Sequence, residues 1–525
     1  MSSNDSLDDK RSDEKHINEK HEGIEVSVQD VDTGAMLASG NVELDPVESL
    51  RVRKKIDRYI LPLMCGETTL QPFLDKTTLG SSAILGIKQE AHLSTSQYVP
   101  TSSLGTVFYL SYLVFEFPQN LALQRFPVAK WMSINIFVWA IALSSHAACK
   151  SFASLMVVRV ILGMCEGSVT AGFMIVTAMF YTRKEQTVRV GYWFLMNGVA
   201  QIMAGFISFG TLHITTSRFE PWQWLMIICG ALTFIVSISF WFFFPDSPAS
   251  AWFLTPPERA IAILRIKANQ TGLENKHFKK EQMIEALTDP KTWLFALFSG
   301  LTNIPNRKPR NQKPLIVNSF GFTVLQTTLL TCVDGVIEII TIGTGVNVAA
   351  RTGQRAYTSV IWKIPELLGA ILINALPWSN KIGLLFSLWI TGVGTTGFVI
   401  SIAWVGSVTA GHTKRVTTNA IMLIAYCIGN AAGPFMWIDK YKPRNRIPWI
   451  IIGVCYITCM AILLLIRYIL ATENKRRDAE PRMDDAYDNV YVERLSSEGV
   501  IEKVKVDREF LDLTDRQNRD FRYVL

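Results

Sequence analysis

The sequence predicts an all-α membrane protein of twelve transmembrane helices in two six-helix halves. Apolar stretches of bilayer-crossing length recur about a dozen times between Asp57 and Leu470. Short loops rich in Lys and Arg separate them, and a charged, Pro-containing segment divides the series in the middle. A helix needs about 20 apolar residues to cross the hydrocarbon core. Only helices and closed barrels satisfy their backbones there. The runs here are continuous rather than alternating, which excludes the barrel.

Taken in order, the first set of spans falls near 58–86, 101–121, 131–149, 152–178, 190–213 and 222–245. The second falls near 291–318, 323–349, 356–377, 381–404, 416–438 and 447–470. Residues 1–50 mix charges, as in Asp8, Asp9, Lys10 and Arg11, and lack the apolar core of a signal peptide. They are expected to be a disordered cytoplasmic tail. The N-terminal half then covers 51–245, a cytoplasmic central loop 246–290, the C-terminal half 291–470 and a similarly charged tail 471–525.

Composition agrees with this reading. Hydrophobic residues make up 49% of the chain and charged ones only 18%, so a set of soluble domains is excluded. The net charge of +7 does not imply nucleic acid, because the basic residues flank spans as the positive-inside rule requires. Arg51 to Lys55, Arg125 to Lys130, Arg183 and Lys184, the central loop, Arg351 to Arg355, Lys414 and Arg415, and Lys475 to Arg477 fall on one side. Both termini are therefore expected in the cytoplasm. One loop disagrees, placing Lys440, Lys442, Arg444 and Arg446 outside. The eight cysteines lie in or beside apolar runs, without His or carboxylate at metal-ligand spacing, and read as small buried hydrophobes. No metal, cofactor, nucleic acid or obligate protein partner is expected. No nucleophile–base set or nucleotide loop indicates an enzyme.

Ionisable groups inside spans are costly and mark function by default. In span four, Arg159 and Glu166 are seven residues apart and project from nearly the same helix face. A guanidinium grips a carboxylate through two parallel hydrogen bonds. A desolvated Glu exchanges protons near neutral pH. Together they form minimal equipment for moving an anion with a proton; the alternative is an ion pair that holds helices together. Span one carries Asp75 and Lys76, adjacent and so pointing apart, either as proton-coupling and substrate-binding groups or as structural partners of other helices. Glu67, Glu116, Asp334, Glu338 and Glu366 are further intramembrane acids. Asp334 and Glu338 share a face, and Glu338 is a third candidate for proton coupling. Lys363 and Glu366 read as a local pair beside Pro365. Asn197 and Gln201 share a face in span five and, with Asn430 in span eleven, could hydrogen-bond a polar substrate or knit helices together. The basic run Arg307 to Lys313 either faces the outer mouth of a cavity or forms an external loop.

The two halves echo each other. Asn120 to Pro127 after span two and Ala350 to Arg355 after span eight are both degenerate copies of a Gly-x-x-x-Asp-Arg-x-Gly-Arg signature; the Asp has become Gln124 and Ala350. That signature resembles the loop motif of the major facilitator superfamily. More specifically, the chain resembles the fungal allantoate-permease type of its anion:cation symporter branch over about residues 55–475, with 512–523 also fitting. The matching segments include Lys55–Cys65, Phe73–Thr78, Met196–Gly198, Thr302–Asn306, Asn318–Phe322, Ala410–Ala420 and Gly429–Pro434. The resemblance implies a major facilitator fold and proton-coupled uptake of small organic anions at the plasma membrane. Family relatives handle allantoate, ureidosuccinate, small peptides, nicotinate, pantothenate and other carboxylates. Small organic anions, protons and membrane lipid are therefore the expected partners. Departures stand at Glu67 and Pro72, at Glu116 where Gln is usual, at Arg307, Lys308 and Arg310, and at Val408 and Phe435. They leave the particular substrate open. A nutrient sensor built on the same fold and signalling through its tails is the alternative.

Overall fold

The computed structural model describes residues 24–25, 45–69, 82, 87, 103–214, 219–267, 278–305, 317, 321–437, 439–441, 444–480, 490–495, 501–505 and 511–525. The N-terminal half comprises α1 (Pro46–Thr68), α2 (Ser103–Arg125), α3 (Val128–Ser145), α4 (Phe152–Phe180), α5 (Arg183–Thr211) and α6 (Pro221–Phe243). Two short helices follow, α7 (Pro256–Lys267) and α8 (Lys280–Thr288). The C-terminal half comprises α9 (Pro290–Asn303), α10 (Val324–Thr352), α11 (Arg355–Ala375), α12 (Lys381–Ile390), α13 (Thr395–Val408), α14 (His412–Ala432) and α15 (Arg446–Ala479). A 3-10 turn, Thr391–Gly394, joins α12 to α13 in one span. Eight of the described helical runs are long and apolar enough to cross a membrane.

Local chemistry sets where these helices begin. Asp45 accepts from the Val47 amide ahead of Pro46, and Asp289 accepts from the Lys291 amide ahead of Pro290. Each satisfies a first-turn donor while proline fills a position that needs none. Ser151 with Ser154, Thr182 with Glu185 and Thr323 with Gln326 form reciprocal capping pairs. Gly353, at φ 68°, ends α10 in the left-handed region that glycine tolerates.

The outer surface is apolar: Val114, Ile141, Val157, Ile235, Ile340, Ile361 and Val454 are all exposed. Arg159, Glu166, Glu338 and Lys363 are buried. That is the reverse of a soluble protein and the arrangement a lipid solvent demands. The halves meet where α5 packs on α10 and α2 on α14. Gly198 and Gly335 allow the first contact, since a Cβ on either would collide with the other's carbonyl oxygen.

Several sequence expectations change. The segment expected as a central loop holds two short helices, α7, which starts at Pro256, and α8. Lys414 and Arg415 are not loop residues; they sit buried in the first turn of α14. Most notably, residues 511–525 of the expected C-terminal tail dock against the basic end of the bundle. Leu511, Phe521 and Tyr523 join its main hydrophobic core. Asp515 is completely buried, paired with Lys291 and with Lys414 at 2.8 Å. Tyr523 donates to the same carboxylate at 2.7 Å, and Arg477 donates to the Phe521 carbonyl at 2.7 Å. The tails also form a small sheet, in which β1 (Ile24–Glu25) pairs in parallel with β2 (Val490–Leu495), and β2 pairs antiparallel with β3 (Ile501–Lys505).

Candidate functional site

A cavity of about 90 Å³ lies between the halves. From the N-terminal half it is lined by Thr68, Tyr112, Trp193, Asn197 and the stretch of α4 from Glu166 to Phe173. The C-terminal half contributes Thr302 and Asn303 at the end of α9, Glu366, the Thr391–Thr395 turn, Phe398, Tyr426 and Tyr456. Aromatic rings form much of the wall, with Phe398 stacked on Tyr426 at 5.6 Å and Phe173 set 5.6 Å from Trp193. An apolar wall with a few convergent polar groups is the usual make-up of a small-molecule site.

Glu166 reaches this cavity; Arg159 does not. Seven residues put the two side chains on one face but about 10 Å apart along the axis. Arg159 is buried away from the cavity lining, within electrostatic reach of His146. Glu166 instead lies among acids from other helices: Glu67 of α1 and Glu116 of α2 both stand within its electrostatic reach. Glu116 is held by Asn120, whose amide donates to Oε1 at 2.7 Å. Carboxylates gathered in an apolar interior repel one another, and a bound proton relieves that repulsion.

Asn197, Gln201 and Glu338, assigned separately to substrate and to proton, come together. The Asn197 and Gln201 amides donate to the two Glu338 carboxylate oxygens, each at 2.5 Å. This bridge spans the contact between α5 and α10, and Asn197 also touches the cavity. Asn430 does not line the cavity. Its amide donates to the Tyr426 carbonyl one turn back at 2.9 Å, and Tyr426 is the residue that reaches the wall. Asp75 and Lys76 lie outside the described residues, as does the Arg307 to Lys313 run. Lys363 and Glu366 do pair, Nζ to Oε2 at 2.8 Å, and Glu366 faces the cavity.

Sequence reading missed most of the C-terminal wall. Asn303 lies in a segment already singled out, but Thr391, Thr395, Tyr426 and Tyr456 carry no charge to draw notice. The cluster Thr391-Gly392-Val393-Gly394-Thr395, glycine-rich inside an apolar run, is the one signal that could have located the turn.

A family model described as Major Facilitator Superfamily matches residues 73–472. The chain is 36% identical to the thiamine pathway transporter THI73 of Saccharomyces cerevisiae, over 92% of this chain and 87% of that one. It is 30% identical to the allantoate permease of the same yeast, over 92% and 88%. It is also 30% identical to that yeast's high affinity cysteine transporter, over 92% of each. Among solved structures, the proton:xylose symporter XylE aligns with a TM-score of 0.60 at 12% identity, covering 80% of this chain and 95% of that one.

Proposed function

The chain belongs to the major facilitator superfamily, and on that premise we propose that it is a proton-coupled symporter of a small organic anion. It takes up its substrate across the plasma membrane by alternating access, with both termini in the cytoplasm. The observation that carries this reading is Glu166, a carboxylate on the wall of a cavity between the two halves, with Glu67 and Glu116 behind it. A group that holds a proton next to the substrate, at the contact between repeats, couples the two movements. Arg159, further along α4 on the side away from the basic loops, lies toward the external mouth and draws anions inward. The allantoate permease among its relatives supports a carboxylate as cargo.

A second reading rests on the same wall. Among the described residues the cavity shows two carboxylates, Glu166 and Glu366, and no lysine or arginine. That lining also suits an organic cation, and one relative is a thiamine pathway transporter. Uptake of radiolabelled allantoate, ureidosuccinate, nicotinate, pantothenate and cysteine, with thiamine as the contrasting cation, separates the readings. The assay is run at about pH 5 and about pH 7 in cells lacking their own permeases. Acid-stimulated uptake of a carboxylate supports the first reading. Uptake of thiamine alone replaces it with the second.

A further inference from the structure

An anion in this cavity needs a cation, and one stands immediately behind the wall. Lys363 is completely buried, with its ammonium group 2.8 Å from Glu366 Oε2. The rings of Tyr456 and Phe298 flank it at 5.2 and 6.0 Å. Tyr456 itself lines the cavity and turns its hydroxyl toward Glu366. On the far side the Glu366 carboxylate presses against the Thr391–Gly394 turn; a Cβ at Gly394 would collide with it. A 3-10 segment inside a helix marks a hinge or a strained place. The carboxylate is thus held by a lysine, near a phenol and a bare stretch of backbone, with its other side open to the cavity.

We propose that this is the binding site for the substrate's carboxylate, and that Glu366 occupies it when no substrate is present. The inference rests on the anion-symport reading above and names the group that reading lacks. The exchange balances in charge. Glu366 takes one proton from external water and becomes neutral, Lys363 stays an ammonium, and the substrate's carboxylate replaces Glu366 as its partner. On the inner side the substrate leaves, Glu366 releases its proton to the cytosol, and the pair closes again. This proton is additional to the one assigned to Glu166. Because an ionised carboxylate must be displaced at high pH but not at low pH, substrate affinity falls as pH rises. Among the described residues, the other titratable groups set against the pair are Tyr456, Cys455 and Cys459 of α15. None of them carries a full charge in its ordinary form at neutral pH.

The test is uptake of whichever carboxylate in the panel the wild-type protein accepts, measured for half-saturation at about pH 5 and about pH 7. In Glu366→Gln, half-saturation becomes independent of pH, because no ionisable carboxylate is left to be displaced from Lys363. In the double variant Lys363→Gln with Glu366→Gln, half-saturation rises about tenfold or more, because the charge-assisted contact is gone. The double variant guards against misfolding, since removing both charges of a buried pair leaves neither uncompensated. A merely structural pair would leave the folded double variant with wild-type half-saturation and pH dependence, and that result overturns the inference, as does Glu366→Gln retaining the wild-type pH shift. Wild-type protein that takes up no carboxylate at either pH overturns the underlying reading instead.

Discussion

Asn197 donates its side-chain amide to Glu338 at 2.5 Å, across the seam where the N-terminal half meets the C-terminal half. Gln201 donates to the other oxygen, and Gly198 with Gly335 lets the two helices come close enough for both bonds. Glu338→Ala removes the acceptor from two amides at once. Asn197 is buried and Gln201 only partly so, and a buried amide left unsatisfied costs about 1–3 kcal/mol. The expected result is a lower melting temperature in detergent and slower uptake, with the same stability loss on Gly335→Leu through overpacking.

Asp515 should matter as much as any residue in the bundle, although it lies in the last fifteen residues. Burial pushes its carboxyl up, but the Lys291 and Lys414 ammonium groups and their hydrogen bonds outweigh that and hold it well below the usual carboxylate range. A group whose pKa is depressed on folding contributes stability above its unfolded pKa, about 4, and loses it as pH falls below that value. Asp515 is therefore charged throughout the cytosolic range. Asp515→Asn leaves two buried lysines undercompensated and costs about 3–5 kcal/mol. Thermal unfolding of the purified protein near neutral pH measures this.

The sequence made the helices legible because membrane spans announce themselves by length and hydropathy. Buried charges such as Glu166, Lys363 and Glu366 were legible for the same reason: nothing else in an apolar run draws attention so strongly. What it hid was depth and partnership. Arg159 and Glu166 share a face and are both buried, yet only the packing decides which of them lines the cavity. Glu67, Glu116 and Glu166 lie on three helices, so no spacing rule joins them. The tail's charge suggested solvated chain, and only the fold shows that Asp515 answers Lys414, 101 residues away.

Lys55 and Glu258 give a contrasting expectation. They join α1 to α7 at 2.6 Å, but both are partly exposed. Burial raises the Glu258 carboxyl slightly, while hydrogen bonds from Lys55 and Thr255 outweigh it and leave the group below its ordinary value. Exposed pairs of this kind contribute about 0–1 kcal/mol. Lys55→Ala should therefore shift the melting temperature only slightly, and less at high salt, in the same assay that registers a large loss for Asp515→Asn.

Arg159 lies outside the cavity but within a buried stretch of α4 on the proposed external side. Arg159→Ala should raise the half-saturation for a carboxylate while leaving the pH profile of uptake intact, because the proton-binding groups are elsewhere. The rise should be about fivefold to a hundredfold, as for loss of a favourable charge interaction of about 1–3 kcal/mol. Concentration-dependent uptake at fixed pH gives the value.

The most direct test of the account is accumulation of a carboxylate in proteoliposomes driven only by an imposed pH gradient, comparing wild type with Glu166→Gln. Wild type should concentrate the substrate, and the variant, left with only the proton proposed for Glu366, should concentrate it far less. Gradient-driven accumulation by Glu166→Gln at the wild-type level would contradict the assignment of the coupled proton to this side chain.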